Sequence, residues 1–391
     1  MAFKKRVKDF AKMAGITLVM SAVLGECGLR IIGFENPDFY DYDARVGWKH
    51  KPNMSAWQRQ EGEALIETNS QGFRDREHTF DKPPGTVRVA VLGDSFTEAH
   101  QVSFDEMFST KLGTKLASCN ATPFAGKKVE VLNFGASSYG TTNELMLLRD
   151  EVLKYHPDFV LLAFTTGNDL EDNVYALAGA KVRPYVKVEG GKVVPDFSHN
   201  QPLSAGQNAW HKAQSVSRLV QFIQRYRMVR AARKRLATAG GNLTDVGLSD
   251  AMYKPPVTPE WEEAWSLAKA MIVAMNEDVK AAGGRFVFTT TTTSIQAHPD
   301  KATRDAFMAK LGVTDLFYAD RELASFATKN GIPAITLSPP LQEYATKNNA
   351  CLHGFSNSNP CAGHWNAKGH EVASTLLAEG ICEASRPPSG K

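Results

Sequence analysis

The sequence predicts a three-layer α/β/α sandwich on a mostly parallel, five-stranded sheet. Two observations carry this. Short apolar runs alternate with stretches of helical length, the rhythm of βαβ units covered on both faces. Several of these runs end in glycine or a polar turn, as buried strands do.

The first strand is 87–93 (VRVAVLG), followed by a helix over 105–116. The next strand is 129–134 and the next helix 142–155. Pro157-Asp158 leads into a third strand, 159–164. The rhythm breaks over about 171–257, which reads as an insertion. Within it, Glu189-Gly190-Gly191-Lys192 marks a hairpin over 185–194. A basic helix over 217–236 carries Arg218, Arg225, Arg227, Arg230, Arg233, Lys234 and Arg235. Such a helix suits an anionic or membrane surface, but a solvated face is the commoner reading. Thr258-Pro259-Glu260 supplies an N-cap, a first-turn proline and an acid, so a helix opens there and runs to Gly283-Gly284. Strands at 285–292 and 333–337 and a last helix over 367–378 complete the domain.

Composition excludes some functions. Among 391 residues, 45 Lys and Arg face 42 Asp and Glu, a net charge of +3. A dedicated nucleic-acid binder would be strongly basic. The apolar share of 43% and the charged share of 22% exclude wholesale disorder. No C-x-x-C or paired Cys/His cluster suggests a metal, and no phosphate-binding loop is present, so no cofactor is expected.

Upstream of the domain, Lys4, Lys5, Arg6, Lys8 and Lys12 precede an apolar run over 13–25. This pattern reads as a signal peptide or a membrane anchor over 1–34. An amphipathic cytoplasmic helix is the alternative. Extending through Glu26 and Arg30, an i,i+4 pair, gives the length of a full span. Basic residues stay inside, which places the remainder in the periplasm or outside the cell. Val23 and Gly25 also permit cleavage before Glu26. Residues 35–85 read as an irregular segment, with Pro37, Pro52, Pro83 and Pro84.

In open α/β sheets, ligands bind beyond the carboxyl ends of the strands. The first strand ends in Gly93-Asp94-Ser95, with a serine opening a helix. The second ends in the small, polar run from Asn133 through Gly135 and Ser138 to Gly140. The third ends in Gly167-Asn168-Asp169. Gly363-His364-Trp365-Asn366 precedes the last helix. Taken singly, these are an N-cap, turns and a structural histidine. Together they offer a nucleophile, oxyanion donors and a base, as acyl transfer requires.

The four blocks, in this order over roughly 86–385, resemble the SGNH (GDSL-type) hydrolase superfamily. That resemblance implies a flavodoxin-like sandwich with esterase or acyltransferase activity. It implies Ser95 as nucleophile, His364 as base and an oxyanion hole from the Ser95 and Ser138 N–H groups and the Asn168 amide. Asn69-Ser70-Gln71-Gly72-Phe73-Arg74-Asp75 is similar to a segment that precedes the first block in membrane-anchored members. Two positions depart from the pattern. Ser138 stands where the family has an oxyanion glycine; it is strained if the turn needs a positive φ, and Gly135 is the fallback donor. The family's acid, two or three residues before the histidine, is replaced by Ala362 and Cys361. A backbone carbonyl then orients His364, or an acid arrives from elsewhere, or activity is impaired.

In a flavodoxin-like sheet, the helix after the first strand and the last helix lie side by side. This places Cys119 near Cys382 and predicts a disulfide. Cys351 and Cys361 flank the loop before His364 and form the second predicted pair, the alternative being four reduced thiols. The expected function is an extracytoplasmic serine esterase acting on acyl or acetyl esters of a carbohydrate or lipid, with a small-molecule or glycan ester as substrate. The alternatives are an O-acyltransferase modifying a polysaccharide, and a binding module of the same fold. No nucleic-acid partner is expected; the membrane is, through the N-terminal segment.

Overall fold

The structure, a computed structural model, describes residues 2–238 and 249–386. They fall into two compact units. The larger spans 39–55, 59–202 and 243–391, the smaller 1–38, 56–58 and 203–242.

The larger unit holds a five-stranded sheet, all of whose pairings are parallel. In chain order its strands are β1 (Thr86–Gly93), β2 (Lys128–Asn133), β3 (Phe159–Thr165), β4 (Arg285–Thr291) and β5 (Ala334–Thr336). Their spatial order is β2-β1-β3-β4-β5. The order reverses between β1 and β3, so the crevice for a ligand opens at their carboxyl ends.

Each central strand is buried on both faces, and its side chains alternate between two cores. Ala90 and Leu92 of β1, with Val160, Leu162 and Phe164 of β3, meet the helices Thr141–Asp150, Pro259–Ala281 and Tyr318–Lys329. Val87, Val89 and Val91, with Phe159 and Leu161, meet Phe108–Leu116, Ser338–Asn348 and Ala367–Ala384. Three layers result, with the sheet in the middle.

The segment 35–85 is not irregular. Strand Tyr40–Asp43 pairs antiparallel with Gly47–His50, and Ala64–Glu67 is a further strand. Its prolines fall between these short strands rather than in them. The segment belongs to the sheet unit from 39 onward, apart from 56–58. Phe73, for example, packs edge-on to Phe134 at 4.7 Å. The insertion is likewise divided between the units. Its hairpin pairs Tyr185–Glu189 with Lys192–Asp196. Residues 239–248 of the insertion and the side chains of Lys234 and Arg235 lie outside the described residues.

The smaller unit contains the helix Ala2–Ile31, of which Phe3–Ile31 is long and apolar enough to cross a membrane. Glu26 pairs with Arg30 at 2.8 Å. It also accepts the Arg218 and Leu219 N–H groups at 3.0 and 2.9 Å. It therefore caps the helix Arg218–Thr238, where a negative charge is favoured. A further helix, Ala205–Val216, opens with a Ser204–Gln207 capping box.

Helices Phe108–Leu116 and Ala367–Ala384 lie on one face, and Cys119 is joined to Cys382 with Cα atoms 5.9 Å apart. Cys351 is joined to Cys361, at 4.9 Å. Cys27 is free and exposed. The first bridge spans 263 residues and the second 10. A longer loop removes more entropy from the unfolded chain. Replacing Cys119 and Cys382 by serine is therefore expected to cost about 2–5 kcal/mol, and more than the same change at Cys351 and Cys361. Urea midpoints of the two oxidised double variants provide the check, and equal midpoints would contradict the expectation.

Candidate active site

Ser95 follows β1 directly and opens the one-turn helix Ser95–Glu98. Asp94 caps this helix, its carboxylate accepting the Phe96 N–H at 3.0 Å. Burial pushes the Asp94 carboxyl up, although the Phe96 N–H and the Thr165 hydroxyl oppose the shift. The Ser95 turn is thus pinned to the end of β3 through Thr165, at 2.9 Å from Asp94.

The structure brings His364 to Ser95, 269 residues away, with Nε2 2.8 Å from Oγ. Neighbouring residues dictate where the imidazole sits. Trp365 is fully buried in the core and donates its indole N–H to Thr292, just beyond β4. Asn366 caps the last helix through the Lys368 and Gly369 N–H groups. The His364 carbonyl accepts the Gly354 N–H at 3.0 Å.

No acid stands at 361 or 362, but the Glu61 carboxylate lies against His364. Its Oε2 lies 2.6 Å from His364 Nδ1, and its Oε1 accepts the His364 backbone N–H at 2.8 Å. Gly363 makes this approach possible: its φ is +87°, and a Cβ there would overlap the Glu61 carboxylate. Burial alone would raise the Glu61 carboxyl. The hydrogen bonds and charge of His364, with the charge of His353, outweigh it and hold Glu61 below the usual carboxylate range. Sequence reasoning missed Glu61, and the only signal for it was the missing acid itself.

Ser138 is exposed at the end of the β2 loop, with φ +62°. The turn there is left-handed, and a non-glycine residue in it costs about 1–3 kcal/mol. The Ser138 carbonyl accepts Arg183 Nη2 at 3.1 Å, and the Ser137 carbonyl accepts Trp48 Nε1 at 3.0 Å. Gly135 is not available as the fallback donor, because its N–H is committed to Asn133 Oδ1 at 2.9 Å. Its lack of a side chain serves packing instead: a Cβ there would sit 2.4 Å from the Glu98 nitrogen.

Asn168 caps the short helix Asp169–Asp172 after β3. Its amide nitrogen lies 3.5 Å from the Tyr139 carbonyl and 3.4 Å from Asp169, and its side chain also hydrogen-bonds Asp172. It also lies against Asp94, next to the serine. Ser95 and His364 therefore meet at the carboxyl end of β1, with Asn168 against the neighbouring Asp94. A hydroxyl bonded to an imidazole that is held by a carboxylate can attack an acyl carbon.

Among the described residues, His50, Glu98 and His100 bring three potential metal-ligand atoms within 4.8 Å. His50 Nε2 is only 2.5 Å from Glu98 Oε1, an oxygen shared with the Tyr40 hydroxyl. His100 Nε2 lies 3.4 Å from the same Glu98 oxygen, so the three side chains meet around one carboxylate.

No protein-family model matches the chain, and no curated protein matches it. Solved structures do. An acetyl xylan esterase shares 14% identity at a TM-score of 0.38, over 76% of this chain and 99% of that one. A lipase/acylhydrolase from Enterococcus faecalis shares 12% at 0.37, over 78% and 100%. A GDSL-like lipase from Bacteroides thetaiotaomicron shares 11% at 0.33, over 76% and 88%.

The depressed Glu61 carboxyl has a pH signature. A carboxyl with a lowered folded-state pKa stabilises the fold above its unfolded value and ceases to as pH falls through the folded one. Glu61→Gln should therefore be less stable than wild type at neutral pH, with the deficit closing below about pH 4. Urea unfolding of both proteins between pH 7 and 3 measures this. A deficit constant across that range would contradict it.

Proposed function

We propose that the chain is an SGNH-type serine ester hydrolase that works outside the cytoplasm through an acyl-enzyme at Ser95. The observation that carries this reading is the continuous line of hydrogen bonds from Glu61 through His364 to Ser95. In the proposed reaction Ser95 Oγ attacks the ester carbonyl and its proton passes to His364 Nε2. Glu61 keeps Nδ1 protonated and stabilises the imidazolium. The oxyanion is received by the Ser95 and Ser138 N–H groups and the Asn168 amide. His364 returns the proton to the departing alcohol, and water then releases the acid by the same route. The substrate is an acyl or acetyl ester of a carbohydrate or lipid.

The binding-module alternative drew its force from the missing acid, and Glu61 removes that motive. The extracytoplasmic placement rests on the basic-then-apolar N-terminus and on two disulfides, which persist in oxidising compartments.

The direct test is an intact-protein mass spectrum after a fluorophosphonate. Wild type should gain one adduct on Ser95, and Ser95→Ala none, with ester turnover reduced by about 10³ or more. Wild-type-like turnover in Ser95→Ala would end the serine mechanism. Product analysis with a glycan acceptor distinguishes transfer from hydrolysis.

Asn168→Ala should lower kcat by about 10²–10³ if the amide binds the oxyanion. A change confined to KM would make Asn168 a substrate contact instead.

A further inference from the structure

Glu98 is fully buried and sits three residues after Ser95 in the same one-turn helix. A buried carboxylate is costly unless it is well hydrogen-bonded. Here one oxygen takes the Tyr40 hydroxyl and His50 Nε2, and the other takes the Ser137 hydroxyl. The backbone at this end of the helix is also held. Arg74 donates to the Glu98 and Ala99 carbonyls and, at 2.6 Å, to that of Val102.

Three groups hold the Ser137–Ser138 turn. Trp48 binds the Ser137 carbonyl, Arg183 binds the Ser138 carbonyl, and Glu98 binds the Ser137 hydroxyl. Trp48 and Arg183 come from other parts of the chain. Glu98 alone lies on the nucleophile's own helix. Asn133 also ties the start of this loop to the helix through the Thr97 carbonyl at 3.0 Å, but the Glu98–Ser137 contact is the one that reaches the residue next to Ser138. A left-handed serine persists only where its surroundings over-determine it. We propose that Glu98 is a positioning residue of the oxyanion site, its carboxylate gripping Ser137 and thereby holding the Ser138 peptide in register with Ser95. This rests on the hydrolase reading above.

The test uses the full chain and p-nitrophenyl acetate. Ser137→Ala removes only the gripped hydroxyl. It should lower kcat by about tenfold to a hundredfold, as small misplacements of a catalytic geometry do, with KM nearly unchanged and thermal stability somewhat lowered because a Glu98 oxygen loses its partner. Ser137→Thr keeps the hydroxyl and should restore most of the rate. Glu98→Ala combined with Ser137→Ala should lose clearly less than the product of the two single losses, because the Glu98–Ser137 contact is common to both. A wild-type kcat in Ser137→Ala, no recovery in Ser137→Thr, or fully additive losses would each overturn the proposal. If wild type itself neither turns over ester nor takes up a fluorophosphonate, the hydrolase reading fails and this proposal with it. If wild type does both and Ser137→Ala keeps its kcat, only the positioning role fails.

Discussion

The chemistry available at this site depends on where the Nδ1 proton of His364 goes. An imidazole that accepts a proton from serine must present Nε2 unprotonated, which requires the other nitrogen to hold its hydrogen against a fixed acceptor. Glu61 is that acceptor, and it reaches across 303 residues of sequence. It takes the ring N–H with one oxygen and the residue's own backbone N–H with the other. The carboxylate thus locates both the ring and the backbone that carries it. A single ring contact would leave the imidazole free to pivot about its Cα.

Because the acid arrives from the N-terminal segment, that segment is part of the site. The same stretch buries Arg74, whose guanidinium is tolerated because three backbone carbonyls receive it. Asp75 accepts the Asn133 N–H at 2.7 Å and so fixes the end of β2. Asn69 accepts the Gln71 and Phe73 N–H groups and shapes the turn that delivers Arg74. These residues therefore organise the nucleophile's turn and the β2 loop together.

The sheet and the strand-end residues were legible because strand burial and turn chemistry are local properties. VRVAVLG followed by Asp-Ser identifies a strand and the start of a helix without reference to any distant residue. The left-handed turn at Ser138 was legible as a conflict, since a serine stood where a glycine was expected. Glu61 was not legible. It lies in the polar run Gln58-Arg59-Gln60-Glu61-Gly62-Glu63, which has neither period nor motif. Its role exists only in three dimensions, and the absent acid at 361 and 362 pointed to a need without naming a source. The helix Ser338–Asn348 escaped for a different reason. Pro339 and Pro340 resemble helix breakers, yet in a first turn their missing N–H groups have no intrahelical acceptor to lose.

A site of this kind adds little stability. Asp94, Glu98 and Arg74 are buried, and such charges at best recover their desolvation cost. Ser138 adds backbone strain. The stabilisation must come from the two apolar faces of the sheet and from the bridge that joins the ends of two helices. The short bridge, Cys351–Cys361, has a more local consequence. The loop it closes carries Asn357, whose amide donates to the Gly62 carbonyl at 2.7 Å and accepts the Gly62 N–H at 2.9 Å. Gly62 is the neighbour of Glu61, and Gly363 and His364 follow Cys361 after Ala362. One cross-linked loop therefore grips the acid's backbone on one side and leads into the base on the other. The Glu61–His364 contact is held from both ends by a single rigid element. An acid borrowed from a distant segment can on this account serve as well as one placed two residues away.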